Sequence, residues 1–444
     1  MPKQKNAIVV GAGIAGLTAA YQLGKLGWKV TVIERSAFPG GRMGNVRRGR
    51  MLLETGATEI FGFYKDLLQL TGELGLSDQL VSADVYSSFH IKDGEREYDF
   101  DYSKSLSALL TTDALSALSK LRLPTLLPDL LRFKSRVDPC LLDSAAEFDD
   151  QDTASYLTAK VGRDFVDGFI APLFRLFWRW QPQAFSRAYF LTFIAHTLGT
   201  RIYTFRHGIG ALTRELACRL DVRYGCNVSA ISRTANGACR VQYTNMQETM
   251  VSEADVVVVA TEAHRVPGLI PDLPEPDRRF FASVRYTQGM AAHYLLKREV
   301  APRSIIYTVN DPSPLLSYAQ IPSRFPGFPE VPSRLWVSLT PEYLAAHVNQ
   351  EGSNLDEVTR PHVAKLYPSL EEDLLEAHMQ HEGLQLVLVY PGYIRALQEF
   401  LQRRAAAAEP YFFCGDYLAH PHAGGACASG KRVAEQIGAR YSQS

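Results

Sequence analysis

The residues best suited to chemistry lie at the two ends of this 444-residue chain. Near the start, "VVGAGIAGLTAA" sets Gly11, Gly13 and Gly16 in GxGxxG spacing around Ala15, and Glu34 follows about 20 residues beyond the turn. Gly11 permits a tight turn, Gly13 lets a pyrophosphate approach the backbone, and Gly16 brings helix against strand. The helix start then offers free N–H groups to the anion. Glu34 is placed to accept ribose hydroxyls, so the chemistry indicated is dinucleotide binding. Near the other end, "HPHAGGACASGKRVAEQI" packs His420, His422, Gly425, Ala426 and Cys427 ahead of a helical pattern. Read alone, that cluster admits a metal site, a thiol nucleophile, or one wall of a cofactor site centred elsewhere.

The elements that must hold these residues can be read around them. "NAIVV" is a buried strand, Leu17, Ala20, Tyr21 and Leu23 form an apolar helical face, and "KVTVIE" is a second strand. Glycine clusters also make ordinary turns, but strands on both sides, the helix and Glu34 together select the dinucleotide reading. Past Glu34 and Arg35, "FPGGRM" brings a second glycine pair, Gly40 and Gly41, with Arg42 able to neutralise phosphate charge. "LLETGATEIFG" ends a strand in a turn at Gly56, Ala57 and Thr58.

From residue 64 to 203 helical patterns dominate, with Asp152 or Thr153 as a helix cap, and the density of Phe and Trp suits an apolar cavity or a plain core. "NVSAI", "CRVQYT", "ETMVSE" and "ADVVVVATEA" then read as strands. A second excursion starts near Pro267, with strands such as "YTQGMAAHYLLKR" and helices expected at "YLAAHVNQ", "NLDEVTRPHVAKLYP" and "LEEDLLEAHMQ". "YFFCGD" is a buried strand ending at Gly415 and Asp416, and the closing helix follows.

Lys plus Arg and Asp plus Glu both number 47, so no global field draws the chain to nucleic acid. The six cysteines form no CxxC pair and no apolar h-region precedes the first strand, which points to a reducing, cytoplasmic setting. "FVDGFIAPLFRLFWRW" is interrupted by Asp167, Arg175 and Arg179 and falls short of the about 20 residues a membrane span needs. The basic, amphipathic "SKLRLPTLLPDLLRFKSR" leaves two uses open, helix packing and peripheral membrane contact. No metal is expected: the two tail histidines lack a correctly spaced acidic ligand, and "HMQHE" reads as a solvated helix end. GxSxG and HExxH are absent.

The fingerprint, the GGR segment, the "TGA" turn, the "NVSAI" to "VVVVATEA" region and the closing "GD…GGACASG" occur in an order that resembles the FAD-dependent flavin amine oxidase superfamily, which includes monoamine oxidase, protoporphyrinogen oxidase and phytoene desaturase. The resemblance covers nearly the whole chain. It implies an α/β fold in which 1–63, 204–266 and 384–444 form a Rossmann-like, GR2-type FAD-binding domain. A discontinuous α+β substrate-binding domain would come from 64–203 and 267–383. It further implies that the loop with Gly41 and Arg42 folds over the pyrophosphate, flavin contacts at Gly56, Ala57 and Thr58, an adenine-side contact at Val228, and Thr261 near the cofactor. Asp416, after Gly415, would bond the ribityl or pyrophosphate region, and Gly425 and Ala426 would let backbone approach the ring. His422 falls near a position where amine oxidases place an aromatic residue facing the flavin, which makes it a candidate general base or substrate-orienting donor.

Amine oxidases generally carry a lysine after the second FAD segment, but "YTQGMAAHYLLKRE" has none before Lys297. "FDDQDTASYLTAKVGRDFVDGFIAPLFR" and Cys427 look more like protoporphyrinogen oxidases. The resemblance thus implies an oxidase or desaturase moving hydride from a hydrophobic small molecule to flavin, with O2 or a quinone as electron acceptor. Arg175, Arg179 and Tyr390 are the substrate-orienting candidates. Two alternatives stay open: oxidation of a C–N bond with His422 in place of the lysine, and a flavoprotein isomerase without net redox.

Overall fold

A computed structural model describes residues 4–83, 88–101, 106–197, 199–300, 303–308, 315–322, 333–340, 343 and 355–442. The continuous apolar runs "NAIVV" and "VVVV" become strands Asn6–Val10 and Val256–Val259, buried along almost their whole length. Such two-faced burial belongs to the centre of a parallel sheet covered by helices. These strands pair with each other in a five-stranded parallel sheet. Its spatial order is Asp221–Arg223, Lys29–Ile33, Asn6–Val10, Val256–Val259, Tyr411–Phe413. From the first strand the chain steps outward to Lys29–Ile33 and later Asp221–Arg223 on one side, while Val256–Val259 and Tyr411–Phe413 add on the other. That reversal of direction opens a crevice at the strands' carboxyl ends.

Two helices frame the crevice. Ile14–Lys25 leaves the first strand through the glycine turn, and Ala423–Tyr441 closes the chain. They cross at backbone contact distance, because a Cβ on Gly430 would lie 2.2 Å from the carbonyl oxygen of Ala15. The cluster at the end of the sequence is thereby fixed against the fingerprint at its beginning. Cys427 is buried in this crossing, where the Thr18 hydroxyl donates to its sulfur at 3.5 Å. Burial pushes the thiol up to about 12, so it is core rather than nucleophile.

A seven-stranded mixed sheet forms the second layer, ordered Leu374–Val387, Tyr286–Leu296, Ser333–Leu339, Leu315–Pro322, Arg303–Tyr307, Ser88–Asp93, Arg96–Asp101. Three sequence expectations are corrected here. The first excursion is not purely helical, since hairpin 88–101 joins this sheet by pairing Ser88–Asp93 with Arg303–Tyr307. "LEEDLLEAHMQ" is helical only at Leu370–Asp373 and then continues as the strand Leu374–Val387. The partner strand Tyr286–Leu296 accounts for it: pairs such as Ala291 with Gln380 outweigh a helical periodicity that had no such partner in view. His378 therefore lies in a strand opposite His293, not at a helix end. The helix expected at "YLAAHVNQ" falls, from residue 344 on, outside the described residues.

Elsewhere 64–203 is mainly helical, apart from strand Leu80–Ser82, which pairs antiparallel with Ile202–Phe205. Asp152 caps Thr153–Lys160 by accepting from the Ser155 N–H at 2.8 Å. A π-turn at Val166–Ile170 leads into Ala171–Trp178, which ends at Arg179 with φ 56°, a left-handed stop that turns this arginine inward. No helix among the described residues is long and apolar enough to cross a membrane.

Candidate active site

The crevice is a cavity of about 700 Å³ running between the parallel sheet, the helical layer and the mixed sheet. At one end stands the glycine turn. Gly11 has φ 108° and packs so tightly that a Cβ would sit 2.7 Å from the Ala260 carbonyl oxygen. Gly16 is tighter still, with 2.1 Å to the carbonyl oxygen of Gly11, and it does not line the cavity: it holds helix to strand. At Gly13, by contrast, a Cβ would meet nothing within 4 Å. That open space lies over the first N–H groups of helix Ile14–Lys25, which have no partner within the helix. Glu34 is fixed at the end of the second strand, where its carboxylate accepts from the Ala12 N–H at 2.7 Å and the Ser36 N–H at 2.8 Å. Val228 and Thr261 line the same end, and Arg35 lies at its rim, paired with Glu262 at 3.1 Å.

Gly40 hydrogen-bonds back onto the turn through its N–H to the Ala12 carbonyl at 2.8 Å, which brings the loop carrying Gly41 and Arg42 over the cavity. Arg42 does not reach toward the phosphate end as a lone cation. It makes a fork with Asp416, Nη1 to Oδ2 and Nη2 to Oδ1, both at 2.7 Å, and Nη1 also donates to the Gln385 carbonyl at 2.7 Å. Two residues read from sequence as separate cofactor contacts are thus each other's partners. Asp416 is buried and Arg42 is one-third exposed, so the pair ties the mixed sheet, the loop and the last strand together beneath the cavity. Gly56, Ala57, Thr58, Gly415 and Ala426 line the middle of it. Gly425 does not: its absent Cβ clears the His420 carbonyl oxygen, 2.0 Å away, and so serves the turn into the helix.

His422 lines the cavity, but both of its nitrogens are engaged. Nδ1 accepts the Gly425 N–H at 2.9 Å, capping the last helix, which leaves the proton on Nε2 to face the Pro139 carbonyl at 3.2 Å. Burial pushes its pKa down to about 3, and the neutral imidazole has no nitrogen left for substrate. The geometry therefore corrects the general-base expectation. His420 is buried beside it, its pKa also driven down by burial and by the neighbouring rings His422 and His196. The rings Tyr189, His420, His422 and Tyr64 stack in one column with centroids 4.7, 4.2 and 4.2 Å apart. Among the described residues no three His, Cys, Asp or Glu side chains gather into a group that could hold a metal ion.

This stack carries a pH prediction. The unfolded chain takes protons on these histidines near their ordinary value of 6.5, whereas folded His422 does so only near 3. The unfolded state therefore binds more protons in that window, and stability falls as pH is lowered through it, by about 1.4 kcal/mol per pH unit for each such group. Chemical denaturation between pH 7 and 4 should show the loss, and His422→Asn, which can still cap the helix, should flatten part of it. An unchanged slope in the variant would contradict the assignment.

The far end of the cavity is walled by Phe61, Phe177, Trp178, Phe193, Ile306 and Trp336, with Glu54, Glu59, Arg179 and Arg334 as its polar floor. Arg334 donates to Glu54 at 3.1 Å, and the Arg179 guanidinium lies 5.3 Å from the Trp336 ring. Glu59 holds a hydrogen bond from the Thr58 hydroxyl, and burial raises its carboxyl above the usual carboxylate range. Of the three substrate candidates read from sequence, Arg179 lines the cavity while Arg175 and Tyr390 do not. The Tyr390 hydroxyl donates to the Ser283 carbonyl at 3.3 Å, and its ring packs at 5.5 Å from Tyr393. Sequence reasoning missed Glu59, Tyr64, Tyr189, Arg334 and Trp336. Only Glu59 had a signal, one position past the turn already singled out.

The residues fit FAD: an extended cavity runs from the Glu34 carboxylate, over open backbone at a helix start, to a mid-section of small residues. A model of the family described as flavin containing amine oxidoreductase matches residues 14–438. Zeta-carotene desaturase of Arabidopsis thaliana is 26% identical over 325 residues, 65% of this chain and 56% of that protein. Prolycopene isomerase of Daucus carota is 38% identical over 81 residues, 18% of this chain and 12% of that protein. The chain spans about half the length of the first of the curated relatives it matches. Among solved structures, a putrescine oxidase redesigned in its cofactor binding has the same fold, with a TM-score of 0.75 over 98% of this chain and 99% of that one, at 17% identity. With nearly its whole length matched, the chain belongs to the flavin-containing amine oxidoreductase family and is an FAD-dependent enzyme.

Proposed function

We propose that the chain is an oxidase or desaturase that removes hydride from an apolar, polycyclic or isoprenoid-like small molecule. The observation that carries this is the far end of the cavity, an aromatic and aliphatic box adjoining the Gly56–Thr58 turn. Among the described residues no lysine lines the cavity, which weighs against amine oxidation of the kind that uses one. FAD, when bound, supplies the hydride acceptor, with O2 or a quinone as the final electron acceptor. The chain's own residues bind and align: the Phe61 to Trp336 box holds the apolar body and excludes water, and Arg179 and Arg334 fix any polar end. Glu59, rather than His422, is the group placed to accept the proton that leaves with the second C–H bond, since its raised pKa makes the carboxylate a better base. Names among the relatives, zeta-carotene desaturase above all, fit this substrate class.

A second reading is isomerisation of a lipophilic polyene without net redox, favoured by the prolycopene isomerase similarity. Anaerobic titration separates the two. A polyene or porphyrinogen that bleaches the bound flavin supports oxidation, and conversion without bleaching or oxygen uptake supports isomerisation. Bleaching by amines alone would overturn both.

A further inference from the structure

The mixed sheet buries polar groups that neither its ladder nor the FAD site uses. Residues directly opposite on paired strands share a face, as do residues two apart on one strand. His293 lies opposite Trp336 on one side and His378 on the other, and Ala291, two positions back, lies between Ser338 and Gln380. This face looks toward the active site, since Trp336 and Arg334 line the cavity.

His293 and Ser338 are buried. Among the described residues, neither ring nitrogen of His293 closes a well-aligned hydrogen bond, although Gln380 stands beside it. The Ser338 hydroxyl and Gln380 Oε1 have no partner either. Four such atoms at adjacent cross-strand positions are costly to keep dry, and the usual remedy is buried water that bonds several of them at once.

The cluster joins the cavity floor to the surface. On its inner side Arg334 donates to Glu54 at 3.1 Å, and Gln380 Nε2 donates to the Glu54 carbonyl at 2.6 Å. The Glu54 carboxylate in turn is close enough to Glu59 to help raise its pKa. On the outer side His378 Nε2 lies 3.5 Å from Glu376, which pairs with the half-exposed Arg50 at 2.7 Å. Burial first, then the Arg334 cation and His378, drive the pKa of His293 well below its ordinary value. A neutral imidazole accepts at one nitrogen and donates from the other, so it passes a proton without storing it.

We propose that His293, Ser338 and Gln380 hold a short file of ordered waters, and that the proton taken from substrate leaves the active site along it, through the His293 ring to His378 and solvent. The water file does not depend on the reaction. The route rests on the function proposed above: hydride goes to FAD, the proton of the second C–H bond goes to Glu59, and Glu59 must lose that proton before it can take another. His293 touches neither substrate nor cofactor and acts through Glu59.

A crystal structure of the FAD-loaded protein should show water bonded to His293, Ser338 and Gln380, and His293→Phe should lose the water at position 293 while keeping its flavin. In an anaerobic single turnover of a polyene, proton release from wild type to an indicator dye should keep pace with bleaching. In His293→Phe bleaching should keep its rate while proton release lags about tenfold or more. His378→Ala, at the surface end, should show the same lag, and imidazole in the buffer should remove it, which a purely structural role would not allow. A dry cluster overturns the water file. Release in step with bleaching in His293→Phe, or bleaching and release slowed equally, overturns the route. If no polyene bleaches the flavin, the substrate reading and the route that rests on it fail together, and the crystal structure still decides the waters.

Discussion

Asp416→Ala is expected to release FAD and to lower stability by about 2 kcal/mol. Removing one member of a buried, forked ion pair leaves the other charge without compensation, at about 3–5 kcal/mol when both are buried. Here Arg42 is one-third exposed, so water recovers part of that cost, and the expected figure is discounted accordingly. The effect on the cofactor is larger than the effect on the fold. Arg42 holds the loop that Gly40 folds over the glycine turn, and it anchors that loop to the Gln385 carbonyl and to the strand end at Gly415. Without the fork, three cavity walls lose their common tie. A double variant, Arg42→Met with Asp416→Leu, removes both charges and should recover most of the stability but not the flavin. Flavin content after gel filtration and urea midpoints of the three proteins check this. Full flavin retention by Asp416→Ala would show that the pair is not part of the cofactor site.

The second large effect is expected at Gly16. A valine there would drive its Cβ into the Gly11 carbonyl oxygen, 2.1 Å away, and against Ala260 at 3.0 Å. The obstacle is backbone in the glycine turn, so no side-chain rotation relieves it. Helix Ile14–Lys25 must move off the sheet, at a cost of about 3 kcal/mol. Its N-terminus then no longer meets the pyrophosphate position. Gly16→Val should be purified, if at all, without flavin. Gly24→Ala, in the same helix at a position where a Cβ meets nothing within 4 Å, should keep both flavin and stability.

Much of this was legible in the sequence for local reasons. The GxGxxG turn, its strands and Glu34 lie within one βαβ unit, where short-range rules operate, and Asp152 caps the helix its position implied. What escaped depended on partners far along the chain. The Arg42–Asp416 fork joins residues 374 positions apart, so each could be recognised as cofactor-facing while their attachment to each other could not. "LEEDLLEAHMQ" has a helical period, and only the strand at Tyr286–Leu296 reveals why it extends instead. His422 looked like a base because the family resemblance sets it near a position facing the flavin. Its capping of Gly425 and its place between His420 and Tyr64 are set by the approach of the helical layer. The aromatic box was foreseen as composition, but Trp336 arrives from the second excursion and could not be assigned to it in advance.

On the function proposed above, the two ends of the chain build one FAD site. It is tested most directly by the flavin content of the purified protein, wild type beside Gly13→Asp, a substitution that fills the open space over the helix start with a carboxylate where a pyrophosphate should lie. Wild-type protein should be yellow with stoichiometric FAD, and the variant folded and colourless with an unchanged circular dichroism spectrum. Colourless wild-type protein that takes up no added FAD, or a Gly13→Asp protein as yellow as wild type, would contradict it.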